Sequence, residues 1–305
     1  MAITTVGIAG AGDVAKFFVE ELEKDERFKI VVLSRAPREW FASRSTVQMK
    51  ITDYTFDSLR PIVEDLDILF SFLHDNSSFY VNAHKAMLDA CSASPRCKRF
   101  VPSEYGGDID KYPDLPRFYK PTHGAFREIL NSDSHGVEWT LVNIGYFMDY
   151  FLPPAKTYMK PLTGIWPITG DDVIIPGTGD EPVGFTSARD VAKGLVKLVD
   201  APLWDKHIYM CGERTTFNRA VEYLQQRRGR PYNISYRSAQ EVADEIPAHL
   251  DDDDPKYLWK LYMDEWIYAG ASAPPEHLVE QHRMQYFADV RFRGIAQLLD
   301  EEDLE

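Results

Sequence analysis

Cysteine is scarce in this chain: Cys91, Cys97 and Cys211 are the only three among 305 residues, and they show no metal-like clustering. Such usage points to a reducing compartment. Basic residues are outnumbered, 34 against 48 acidic, for a net charge of −14. That balance argues against nucleic acid or an anionic membrane as a partner. No apolar run is long enough to span a membrane, and Met1-Ala2-Ile3-Thr4-Thr5 lacks the basic start and apolar core of a signal peptide. A soluble, cytoplasmic protein is expected. His74, His84 and His135 are scattered without metal-ligand spacing, so no metal site is expected. Repeats are absent, and no linker is long enough to separate domains cleanly.

What is present is a full complement of core residues, 44% hydrophobic, enough for one large α/β domain or a domain with a smaller lobe. The most telling segment comes first. The apolar run Val6-Gly7-Ile8-Ala9 leads into Gly10-x-Gly12-x-x-Ala15, and an amphipathic stretch from Lys16 to Lys24 follows. Strand, glycine turn and helix in that order are what a dinucleotide-binding β-α-β unit requires. Gly10 permits the tight turn, Gly12 lets backbone approach a pyrophosphate, and Ala15 lets the helix pack on the strand. Free N–H groups at Asp13 and Val14 open the helix where the phosphate would sit. A second strand, Phe28 to Leu33, ends in Ser34-Arg35. An NAD-binding unit places Asp or Glu about 20 residues past the glycines; Arg35 there would bind a 2′-phosphate and stack on adenine. The cofactor expected is NADP(H), against the alternative of a solvated arginine in a loop that also holds Arg38.

Strands and helices then alternate: strands at Val47–Lys50, Asp67–Phe72, Arg99–Val101 and Trp139–Val142, helices at 58–64, 79–90 and 125–130. This order predicts a Rossmann-type, doubly wound parallel sheet. The second half is less regular. It holds a β-excursion around Val173-Ile174-Ile175 and a helix at 187–199 capped by Ser187 or Thr186. Further elements are strands at 207–210 and 233–236, helices at 218–227 and 239–245, a solvated acidic run at Asp251–Asp254, and an aromatic-rich stretch from Lys256 to Ala269. A smaller C-terminal α+β lobe is the expectation.

At this point the chain resembles the NmrA-like/isoflavone reductase group, an atypical branch of the short-chain dehydrogenase/reductases. The resemblance rests on the glycine turn, Ser34-Arg35, the strand leading to Asp53, and above all Arg99-Phe100-Val101-Pro102-Ser103-Glu104-Tyr105-Gly106. It continues through Gly136 to Phe147, Phe185 to Ala192 and Tyr286 to Val290, and so covers nearly the whole chain. The overall character is similar to fungal members that act in small-molecule metabolism. The resemblance implies residues 1–152 as an NADP-binding Rossmann core, with 183–212 returning to it, and 153–305 mainly as a substrate-binding lobe. Ser71, Phe72, Pro102, Ser103 and Asn143 would then surround the cofactor at the carboxyl ends of the strands. Tyr146, Phe147, Tyr150, Trp166 and Trp259 would wall the substrate pocket.

The reductases of this family carry Lys-x-x-x-Arg after the Pro-Ser-Glu block, the lysine assisting proton transfer and the arginine holding the cofactor or its surroundings. Here Arg127 matches the arginine, and His123 stands four residues earlier. Lys120, followed by Pro121, is the nearest lysine. Residues four apart share a helix face, which favours His123. Histidine both donates and accepts and titrates near neutrality. The candidate catalytic residues are therefore His123, Lys120, Ser103 and Tyr105. Ser103 is placed to polarise a carbonyl or to cap its turn, Tyr105 to donate a proton, and Asp190 to pin its loop at a helix N-terminus. Three functions stay open: an NADPH-dependent reductase of an aromatic or polyketide-like molecule, a redox-neutral isomerase, dehydratase or cyclase using His123, and a non-catalytic NADP-sensing regulator. A monomer and a homodimer are both compatible with the sequence.

Overall fold

A computed structural model describes residues 3–132 and 136–303. His135 lies outside the described residues. Six parallel strands form the central sheet: β1 (Thr4–Ala9), β2 (Phe28–Ser34), β3 (Val47–Ile51), β4 (Ile68–Ser71), β5 (Arg99–Val101) and β6 (Glu138–Trp139). Their order is β3-β2-β1-β4-β5-β6. The connection from β1 to β2 therefore runs one way along the sheet, and the return to β4 runs the other. The switch point lies between β1 and β4, where open α/β sheets bind ligands beyond the strand ends.

The strands are apolar on both faces because helices cover both. Val6 and Ile8 of β1, Ile30 and Val32 of β2 and Phe70 of β4 face one core. Ala9, Val31, Leu33, Leu69 and Phe100 face the other. The period of two along each strand makes this division. The first core is closed by α1 (Asp13–Leu22), through Ala15, Phe18 and Leu22. Beyond the four-residue turn α2 (Glu39–Ala42), the second core is closed by α3 (Phe56–Val63), α4 (Ser78–Ala93) and α5 (Ala125–Asn131). On α4 the buried residues are Tyr80, Ala83, His84, Met87, Leu88, Ala90 and Cys91. Of the face that sequence spacing suggests, Phe79, Ala83, Ala86, Met87 and Ala90, the structure buries Ala83, Met87 and Ala90 and leaves Phe79 and Ala86 part-exposed. The helix turns its aromatic and imidazole rings, not its alanines alone, to the sheet.

The expected strand Trp139–Val142 is two strands. β6 pairs with β5, then the chain leaves the sheet at Thr140, and β7 (Leu141–Asn143) pairs in parallel with β12 (His207–Tyr209). Next come β8 (Tyr146–Phe147), β9 (Ile168–Thr169), β10 (Asp172–Pro176) and β11 (Val183–Thr186), then α6 (Ala188–Asp200). Helix α6 packs on α1 and completes the first core through Val191, Leu195 and Leu198. Its first amide is capped from a distance: Ala188 donates to the buried Asp149 carboxylate at 2.6 Å, while Ser187 Oγ accepts from Arg293 instead. Asp190, in the first turn, accepts from the Arg293 backbone and guanidinium at 2.9 and 3.0 Å, so it fastens the C-terminal segment to this helix.

The third core belongs to the C-terminal lobe. Tyr146, Val173, Ile175, Phe185, Phe217 and Trp266 meet there. It is built by β8 to β11, β13 (Glu213–Thr215), α7 (Phe217–Arg228) and α9 (Lys256–Tyr268), with α11 (Ile295–Asp303) behind. β14 (Asn233–Arg237), α8 (Ala239–Glu245) and α10 (Glu276–Tyr286) complete the chain. Asp251–Asp254 are exposed ahead of α9. Where lobe and sheet join, backbone crosses backbone. Gly145 has φ +72°, and a Cβ there would stand 2.3 Å from the Gly184 carbonyl oxygen and 2.8 Å from that of Ser272. Among the described residues no helix is long and apolar enough to cross a membrane, and no cluster of three metal-ligating side chains occurs.

Candidate active site

The turn after β1 is held to both neighbouring strands: Gly10 N–H donates to Leu33 and Phe72 N–H to Ala9, at 3.0 and 2.8 Å. Gly10 adopts φ +101°, and any Cβ would lie 3.1 Å from the Phe72 carbonyl carbon, so position 10 tolerates only glycine without strain. Gly12 caps α1 with no side chain, and nothing lies within 4 Å of where its Cβ would be. The first amides of α1 have no partner within the helix, and Gly12, Asp13 and Val14 line a cleft, the setting of an anion cradle at a helix start. Arg35, at the end of β2, is exposed, lies 5.1 Å over the Phe79 ring, and has no carboxylate partner among the described residues. These features fit a dinucleotide with a 2′-phosphate.

A cleft of about 480 Å³ opens beside this cradle. Gly12, Asp13 and Val14 line it together with Phe72, Ser103, Tyr105 and His123. Tyr146, Phe147, Tyr150 and Trp259 line it as well, with Tyr150 within electrostatic reach of Asp13. The structure therefore gathers most of the sequence candidates into one space. Its lining also includes Tyr119, a second phenol that the sequence offers beside Tyr105 as a proton donor, and residues the sequence did not single out: Phe118, Asn76, Lys160 and Met263.

His123 owes its place to an irregular helix. Arg117–Tyr119 form a 3₁₀ turn, Lys120–Gly124 a single π-helical turn, and α5 follows. π-turns widen the helix by one residue and recur at functional sites. Here the widening buries both Thr122 and His123. The imidazole is 3% exposed. Tyr119 stacks on one face at 3.7 Å and Tyr80 on the other at 4.1 Å. Nδ1 lies 3.0 Å from Thr122 Oγ1. Burial holds this histidine far below its ordinary pKa, and the Arg127 guanidinium pushes the same way. It is a neutral ring at pH 7.

Behind it, His84 is fully buried and its pKa is pulled down to about 4 by desolvation. Its Nδ1 is 2.8 Å from the Tyr80 carbonyl, which only accepts, so Nδ1 carries the proton. Nε2 then accepts from Ser103 N–H at 3.3 Å and from Ser71 Oγ at 3.0 Å. Tyr80 donates to the Ser103 carbonyl at 2.5 Å. His84 and Tyr80 thereby fix the ends of β4 and β5 on which the cleft is built. The i, i+3, i+4, i+7 spacing of Tyr80, Ala83, His84 and Met87 was the available signal for this buried face.

Six predicted contacts fall elsewhere. Lys120 is 72% exposed, ion-paired with Asp114 at 3.1 Å, and lines a separate, smaller cavity, because the π-turn rotates it away from His123. Arg127 is also off the cleft. It grips the buried Glu104 carboxylate with two nitrogens and the Pro113 carbonyl with a third, so it holds a wall residue in place. Ser71 is buried against His84, and Asn143 is buried with its Nδ2 on the Leu141 carbonyl. Trp166 stands behind the wall, 5.4 Å from Tyr150 and 5.5 Å from Tyr146. Pro102 is likewise buried off the cleft surface. Tyr105 lines the cleft with φ +46°, a strained backbone for a tyrosine. It stacks on Phe72 at 5.5 Å, and burial raises its phenol well above the ordinary range.

Sheet order, glycine cradle and adjoining cleft define a Rossmann-type dinucleotide-fold protein with a ligand lobe. The chain belongs to the NmrA-like family, whose model matches residues 2–254. It is 39% identical over 294 residues to the oxidoreductase swnR of Metarhizium robertsii, covering 95% of this chain and 94% of that one. It is 35% identical to the oxidoreductase swnR of Arthroderma benhamiae, over 98% and 97% of the two chains. Its fold matches the NADPH complex of leucoanthocyanidin reductase from Vitis vinifera at a TM-score of 0.77 and 17% identity, over 99% and 100% of the chains.

Proposed function

We propose that this protein is an NADP(H)-dependent reductase of an aromatic or polyketide-like small molecule in secondary metabolism. One observation carries the reading: one cleft is lined by the start of α1, by His123 and by aromatic rings. The fungal relatives named as oxidoreductases support the reaction class. The amides at Gly12–Val14 would hold the pyrophosphate and Arg35 the 2′-phosphate. The bound cofactor supplies or accepts a hydride. The protein's part is to seat the acceptor between Phe147, Tyr150 and Trp259, exclude water with those rings, and offer His123 Nε2 and the Tyr105 hydroxyl as polar partners. Residues 1–152 with 183–212 are assigned to the nucleotide half, supported by α6 on α1 and β12 on β7. The rest of 153–305 is assigned to the substrate lobe. The three buried free thiols support a reducing, cytoplasmic setting.

The test is two-fold. Purified protein titrated with NADPH and NADH should bind NADPH more tightly; equal affinity overturns the role of Arg35. Deuteride from stereospecifically labelled NADPH should appear in the product. A second reading is favoured by the displacement of Lys120 from the cleft and the neutral His123: a redox-neutral isomerisation, dehydration or cyclisation. Product formed without any nucleotide would establish that reading instead.

A further inference from the structure

His123 is enclosed on three sides. Its two faces are covered by Tyr80 and Tyr119, and its Nδ1 edge meets Thr122. The edge left to line the cleft is the one that carries Nε2, which has no hydrogen-bond partner among the described residues. The direction of the Thr122 bond decides which nitrogen bears the proton. Thr122 Oγ1 lies 2.7 Å from the Phe118 carbonyl, an acceptor only. The single hydroxyl proton is therefore spent on that carbonyl, and toward His123 the oxygen has only lone pairs. Nδ1 must donate.

We propose that Thr122 is a positioning residue that locks His123 with its proton on Nδ1, so that Nε2 meets the cleft as an acceptor and the ligand group seated there is a donor, a hydroxyl or an N–H. The proposal rests on the reading of this cleft as the ligand site. It also limits that reading. In its resting state His123 takes a hydrogen bond or a proton from the ligand and gives none. A proton required by a carbonyl acceptor has to come from another group; the Tyr105 hydroxyl could give it only by leaving the Ser71 carbonyl, to which it donates at 3.4 Å. The π-turn makes the lock possible, because it brings two consecutive residues, Thr122 and His123, into the interior together.

The experiment uses the full-length, ¹⁵N-labelled protein at pH 7 and two-bond ¹H–¹⁵N correlations of its imidazoles, with the His123 signals identified by their loss in His123→Gln. The wild type should show the Nδ1–H pattern. Thr122→Val should move the tautomer ratio toward Nε2–H by roughly fivefold or more, the change expected from one lost hydrogen bond of ordinary strength. Thr122→Ser should restore the wild-type pattern. An Nε2–H pattern in the wild type overturns the lock whether or not the valine variant folds. So does an unchanged pattern in a folded Thr122→Val. For the donor claim, phenol should shift the His123 Nε2 signal while anisole at equal concentration does not. An equal response to both, or none to phenol, overturns it. These readouts need no turnover, so a protein that shows the lock but transfers no hydride would reject the proposed function and leave this inference standing.

Discussion

Lowering the pH from 7 towards 4 destabilises the fold through His84, and replacing that residue removes the effect. The ring is completely buried, and desolvation holds its pKa at about 4 against an ordinary 6.5. Between those values the unfolded chain binds a proton that the folded one refuses. The stabilisation from the neutral ring is therefore complete above pH 6.5 and is lost as the pH falls to about 4. Each pH unit in that window is worth about 1.4 kcal/mol, so the whole window is worth about 3 kcal/mol. The measurement is urea unfolding, followed by tryptophan fluorescence, at intervals from pH 7 to 4.5 for the wild type and His84→Gln. Glutamine keeps a carbonyl acceptor for the Ser103 amide, and the variant should lose about 1–3 kcal/mol at pH 7. The gap between the two proteins should then shrink by about 1.4 kcal/mol for each pH unit below 6.5. Groups remote from residue 84 titrate alike in both proteins and cancel in the difference. Parallel stability curves would refute the argument that His84 is kept neutral by burial.

Arg127→Met strands the buried Glu104 carboxylate and should cost about 3–5 kcal/mol in urea unfolding, with much of the loss recovered in the Glu104→Gln/Arg127→Met double variant. Lys120→Ala, at an exposed ion pair, should change stability by less than about 1 kcal/mol and leave NADPH titration unaltered; a lost cofactor response would return Lys120 to the site. Arg35→Asp should weaken NADPH on the order of tenfold to a hundredfold in fluorescence titration, with NADH little affected, because a charge-assisted contact to the 2′-phosphate is replaced by repulsion. Gly145→Ala should lower stability by about 2–4 kcal/mol in thermal unfolding, through the collision with Gly184 and the left-handed backbone.

The six-stranded sheet was largely legible because its signals are local. Buried parallel strands are short apolar runs, and the Gly10–Gly12 turn announces its own geometry. The break at Thr140 was hidden, since Trp139, Leu141 and Val142 are apolar whichever sheet receives them. Only the pairing of β7 with β12, some 66 residues away, divides the run. The π-turn was obscured by Pro121, which reads as a helix breaker, although helical spacing still pointed to His123 over Lys120. Arg127 was legible as a functional neighbour but not as a partner of Glu104, because a buried ion pair between residues 23 apart leaves no mark in either segment. His84 carried the right periodicity on its helix, yet its role depends on the Ser71 and Ser103 groups that only the assembled sheet brings to it.

The glycine crossing at Gly145, Gly184 and Ser272 has a consequence for how ligand choice changes within this fold. Gly145 is part of the cleft surface, and what lies directly beneath it is main chain. Main chain has no rotamers to exchange and no side chain to substitute. That part of the cleft is therefore a fixed datum, the same for any sequence that folds this way. Variation in what is bound has to be written on the movable side chains of the lining, chiefly Phe147, Tyr150, Trp259 and Met263. A library confined to those four positions should alter ligand preference while the cradle at Gly12 stays as it is.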